Sequence, residues 1–170
     1  MEASSAEDEK QGGFIDLSRI TIGEVLGMVA ALALLGSLFL PWFSTSESNE
    51  NSTIQTAGIG PGESATAMET FRILHYLLIA AVVAPFLLTW IVARGHDLTW
   101  KPGEVTMLVG MVAFVLILCN GIILGKPDPG IELSLSYGYF LGLVASAGMT
   151  VSGFLRQALH TDAKKPPGVL

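Results

Sequence analysis

Four uninterrupted apolar runs dominate this 170-residue chain: Ile22 to Phe43, Ile73 to Ala93, Val105 to Leu124, and Leu135 to Leu155. Each is long enough to cross a bilayer as a helix, which takes about 20 mostly apolar residues. None carries Asp, Glu, Lys or Arg beyond its first turn. Backbone polar groups cannot stay unpaired in lipid, so a chain with such runs crosses as helices. The expectation is an all-α membrane protein, an antiparallel bundle of four transmembrane helices. Composition agrees, since only 14% of residues are charged against about 25% in soluble domains.

Lysine and arginine set the orientation. With a cytoplasmic N-terminus, Lys10, Arg19, Arg94, Lys101, Arg156, Lys164 and Lys165 fall inside, and only Arg72 and Lys126 outside. Both termini are therefore expected in the cytoplasm and the protein in the cell membrane. Residues 1–21 read as a disordered or interfacial tail, 22–157 as the membrane domain, and 158–170 as a second cytoplasmic tail. The first run reads as an uncleaved anchor. It is longer than a signal-peptide core, and no A-x-A site follows it.

Residues 44–72 read as an outer loop, solvated and mobile, rich in Ser, Asn and Glu. Its acids lack the spacing of a calcium loop. In "LPWF", Trp42 and Phe43 are expected at the interface as aromatic-belt residues ending the first span. Thr21 with Glu24 and Thr66 with Glu69 match capping boxes, the second at the start of the second helix. Pro85 is expected to kink that helix.

Small residues let membrane helices approach closely. Gly23 and Gly27 mark such a stripe on the first span, Gly121 and Gly125 close the third, and Gly138, Gly142 and Ser146 run along the fourth. Packing within one chain is favoured over an oligomer, because each helix of a bundle has two neighbours to satisfy.

Ionisable groups deep in a membrane signal function, and these spans offer only His75, one turn from the outer end of the second. The best polar constellation is Glu69, Arg72, His75 and Tyr76, whose spacings place them on one face of that helix. It would serve as a binding face or, more simply, as an ion pair with interfacial anchors. No metalloprotease motif, nucleophile elbow or phosphate loop occurs. No cofactor or metal site is indicated, and the net charge of −6 argues against nucleic acid. The single cysteine, Cys119, reads as a small hydrophobe.

"LPWF", "AMETF…LHYLL", "PDPG", "YGYFLGL" and "GFLRQ" together resemble a group of small four-helix integral membrane proteins of actinobacteria. The likeness runs from about Gly23 to Gln157. Where members have Trp at the start of the second span, this chain has Met68. It keeps Phe71, and His75 stands at about the position of an Asp. The group has no established activity, so the resemblance implies topology alone. The expected function is that of a non-enzymatic structural or accessory subunit. It would act through helix contacts with a membrane-protein partner or a second copy, in the lipid bilayer. The alternative is an oligomeric small-solute or ion permease, with the His75 face near its outer mouth.

Overall fold

The computed structural model describes residues 20–94, 103–124 and 132–162, with side chains through residue 158. The chain is mostly helical. It runs α1 (Ile22–Ser37), β1 (Pro41–Thr45), β2 (Ser64–Thr66), α2 (Ala67–Thr70), α3 (Leu74–Ala93), α4 (Glu104–Leu118), β3 (Leu133–Leu135) and α5 (Tyr137–Asp162). A π-helical turn, Cys119–Ile123, extends α4, and α3 runs on through Pro85 as one helix.

Three helices are long and apolar enough to cross a membrane: Leu74–Ala93, Glu104–Ile123 and Tyr137–Ala158. The helix α1 is apolar but has only 16 residues, about 24 Å of rise. It stops short of the expected end at Phe43. The Ser37 hydroxyl donates to the Leu34 carbonyl at 2.6 Å. Leu38, Phe39 and Leu40 then close tight turns onto Leu35, Gly36 and Ser37. Pro41 has no N–H with which to continue. The backbone leaves the helix there, and Pro41 opens a strand, one of the few sheet positions proline tolerates.

The strand β1 is the centre of a three-stranded antiparallel sheet in the order β2-β1-β3. Phe43 lies opposite Ala65 on one side and Leu135 on the other. An entirely helical fold is thus incomplete, because both expected outer connections contribute strands. Trp42 and Phe43 are also corrected. Both are fully buried, and neither faces a lipid interface. The Trp42 indole N–H donates to the Ser37 carbonyl at 2.8 Å, satisfying an acceptor at the end of α1.

The loop between β1 and β2, expected to be solvated and mobile, makes defined contacts with the sheet and within itself. Ile54 is fully buried and bridges Ile59. The buried Ser52 hydroxyl accepts from the Ser46 N–H at 2.9 Å and donates to the Glu132 carbonyl at 2.8 Å. The Thr45 hydroxyl accepts from the Glu63 N–H and donates to the Gly60 carbonyl. An aromatic cluster joins this cap to the helices. Trp42 meets Tyr139 edge-on at 5.5 Å between ring centroids, and Phe43 meets Phe71 at 5.8 Å.

Below the cap, α5 packs extensively along α1 and α4, while α3 touches both α1 and α4. Glycines set the close seams. A Cβ at Gly23 would lie 3.0 Å from the Arg156 Cβ, and one at Gly27 would lie 3.0 Å from the Ser152 Oγ. Further along, a Cβ at Gly142 would lie 3.1 Å from the Ser37 Oγ. Rising numbers on α1 meet falling numbers on α5, so this pair is antiparallel. The same holds for α4 and α5. A Cβ at Gly110 would come 2.6 Å from the Thr150 N, and one at Gly121 would overlap the Tyr139 ring.

Candidate functional site

The structure separates the four residues expected on one face. Thr66 and Glu69 form their capping box, but it caps the four-residue α2 rather than the long helix. The Glu69 Oε2 accepts from the Thr66 N–H at 2.8 Å and from its hydroxyl at 2.9 Å. The Thr66 backbone N–H first, and its hydroxyl second, hold the Glu69 carboxyl below its ordinary range. Phe71 then leaves the helical region, at φ −116° and ψ 115°. A new helix begins at Leu74, so helical spacing does not carry from Glu69 to His75.

Arg72 and Tyr76 are exposed, while His75 is buried. Its Nδ1 meets the Phe71 carbonyl, and its ring lies 3.9 Å from that of Tyr76, centroid to centroid. The structure therefore joins His75 to Phe71 and Tyr76 but not to Glu69. Among the described residues, no group of three His, Cys, Asp or Glu side chains is placed to hold a metal.

The glycine positions expected to pack helices lie at contacts within the chain. Gly23, Gly27 and Gly142 sit in the α1–α5 seam, and Gly121 lies under Tyr139. Gly138 faces the chain just after α1, where an added Cβ would lie 2.6 Å from the Pro41 carbonyl oxygen. Ser146 is fully buried, and its hydroxyl donates to the Leu143 carbonyl. Gly125 lies outside the described residues, as do residues 1–19 and 163–170 of the expected tails. The helix α5 itself continues to Asp162, into the segment expected as a tail.

The same helix holds a charge that reads, by sequence, as a cytoplasmic residue just past the last span. Arg156 is 7% exposed within α5. Its Nη2 lies 2.6 Å from the Glu24 Oε1, and Glu24 is 4% exposed. The Glu24 Oε2 accepts from the Thr21 N–H and hydroxyl. Among the described residues, no well-aligned hydrogen bond reaches Oε1, although the arginine charge is beside it. His75 is therefore not the one ionisable group inside the helices. Gly23 and Gly27 let α1 approach α5 closely where the pair meets, and Gly153, on the same helix as Arg156, lets α5 approach the start of α4. A glutamate opening one apolar run and an arginine closing another, each beside glycines, was the available signal.

Beside the pair, a small cavity is lined by Gly27, Pro85, Thr89, Thr106, Ser152 and Gly153 together with Glu24 and Arg156. The ends of α1, α3, α4 and α5 remote from the sheet all reach it. A larger, wholly apolar groove of about 540 Å³ separates α3 from α4, walled by residues such as Leu77, Ala81, Val112 and Leu116.

At the other end of α4, the π turn leaves carbonyls for side chains. The Asn120 amide donates to the Leu116 carbonyl at 2.9 Å, and the Tyr139 hydroxyl donates to the Ile117 carbonyl at 2.9 Å. Asn120 is thus spent on its own helix.

Compared with known proteins, the chain matches no family model and none of the curated proteins.

Proposed function

We propose that this chain is a multi-pass protein of the cell membrane in which α1 is a fourth span. The four long helices form an antiparallel bundle with both termini in the cytoplasm. The protein works as a non-enzymatic structural or accessory subunit, presenting its outer cap and its apolar helix faces to a membrane partner. The resemblance to the small actinobacterial proteins agrees with that topology.

The observation that carries this reading is the packed outer end. Trp42, Phe43 and Tyr139, all fully buried, fill the space under the sheet where a permease would need an opening. His75, the expected mouth residue, is turned onto a backbone carbonyl. Meanwhile Val25, Val29 and Leu32 on α1, and Phe140, Val144 and Val151 on α5, stay exposed. In a bilayer these face lipid or a partner helix.

Crosslinking in native membranes tests the proposal. A photoreactive residue at Val144 is expected to capture one defined partner, and a residue at the buried Met149 is not. Solute flux through proteoliposomes of the purified protein, reduced by His75→Ala, would replace this reading with the permease.

A further inference from the structure

The cavity beside Glu24 and Arg156 is about 10 Å³, room for the centre of a single water molecule. Its walls are polar in an unusual way for this chain. The buried hydroxyls of Ser37, Thr70, Ser146 and Ser152 each donate to a carbonyl three or four residues back. Thr89 and Thr106, both 7% exposed, make no such bond among the described residues. Both line the cavity, with the imperfectly bonded carboxylate of Glu24 beside them. Among the described residues, Glu24 Oε1 is the one buried side-chain nitrogen or oxygen without a hydrogen bond; such an atom is costly, and native structures rarely leave one so.

We propose that this cavity is an internal water site. One ordered water is shared by the Thr89 and Thr106 hydroxyls and solvates the Glu24–Arg156 pair. Charge excludes the alternatives. A cation would sit against Arg156 and an anion against Glu24, while the pair itself is neutral. Size excludes anything much larger than water. A neutral molecule that both donates and accepts fits two hydroxyls and an ion pair, and two to four polar partners are what a buried water needs. The water makes ionisation tolerable in apolar surroundings, because it replaces part of the hydration both charges lose on burial. It also ties α3 and α4, which carry the threonines, to α1 and α5, which carry the charges.

The test is a structure of the full chain in a lipid nanodisc at a resolution that shows ordered water, paired with melting curves of Thr106→Val and Thr106→Ser. The proposal expects density within hydrogen-bonding reach of the Thr106 Oγ1. It expects Thr106→Val to lower Tm by about 2–4 °C, as loss of one hydrogen bond would in a chain of this size, and Thr106→Ser to restore it. A dry cavity gives the opposite sign, since valine then removes an unsatisfied hydroxyl and Tm holds or rises. That result, or an empty cavity in the wild-type map, overturns the proposal. The wild-type map decides the matter even where the valine variant fails to fold.

Discussion

Glu24, in the first turn of α1, and Arg156, near the end of α5, meet at 2.6 Å with both side chains buried. Pairing compensates charges that would otherwise be stranded among apolar helices, and removing one partner leaves the other uncompensated. Glu24→Gln or Arg156→Leu is expected to destabilise by about 3–5 kcal/mol. Replacing both by leucine is expected to recover most of the loss. Thermal unfolding in a fixed detergent measures this. Additive losses in the double variant would show that the pair is not coupled.

The helix seams give a sharper contrast. Gly36 has nothing within 4 Å of an added Cβ, whereas at Gly110 that atom would come 2.6 Å from the Thr150 N and 2.9 Å from the Met149 Cβ. Gly36→Ala is expected to be neutral or to stabilise by up to about 1 kcal/mol, through helix propensity alone. Gly110→Ala must push α4 off α5 and is expected to cost about 1–3 kcal/mol, the usual range for overpacking. Equal melting temperatures for the two variants would contradict the α4–α5 seam described above.

In the β1–β2 loop, one hydroxyl joins segments far apart in the chain. Ser52 reaches the Glu132 carbonyl while accepting from the Ser46 N–H. Ser52→Ala strands both and is expected to cost about 1–3 kcal/mol, with faster amide exchange confined to residues 46–63 and 132–135. Unchanged exchange in those segments would mean that the loop is held by other contacts.

Most of the helical content was legible because apolar runs of bilayer length have few other solutions. The start of α1 at Ile22 and the end of α3 at Ala93 coincide with the expected boundaries. The sheet was not legible. Its strands are three to five residues long, and β1 hides in an apolar run that continues past Ser37 without a break in hydropathy. Period alone cannot separate such a strand from the end of a helix. Only Pro41 hinted at the change. The Glu69–His75 face failed for a related reason, since spacing assumes one continuous helix and Phe71 interrupts it. The Glu24–Arg156 pair needed the α1–α5 adjacency, which no local pattern encodes.

Acid should loosen the cap of α2. The Glu69 carboxyl is held below its ordinary value of 4.5 by the Thr66 N–H and hydroxyl. A depressed folded-state value means stability that is present above the unfolded value and lost as pH falls through the folded one. Exchange of the Thr66 amide is therefore expected to lose protection as pH falls below that ordinary value, after correction for intrinsic exchange rates. Glu69 is exposed, so the effect on global stability is small. In Glu69→Gln the protection should be insensitive to pH over this window, and a wild-type-like loss there would assign the transition to another group.

The account rests on α1 crossing the membrane, so that the sheet cap lies outside and the Glu24–Arg156 pair lies toward the cytoplasm. Labelling of Ser48→Cys decides this most directly. Ser48 is exposed in the β1–β2 loop, and Cys119 is first replaced by serine to leave one thiol. A membrane-impermeant maleimide added to intact cells is predicted to label that cysteine fully, with no increase on permeabilisation. Labelling only after permeabilisation would contradict the orientation and the account built on it.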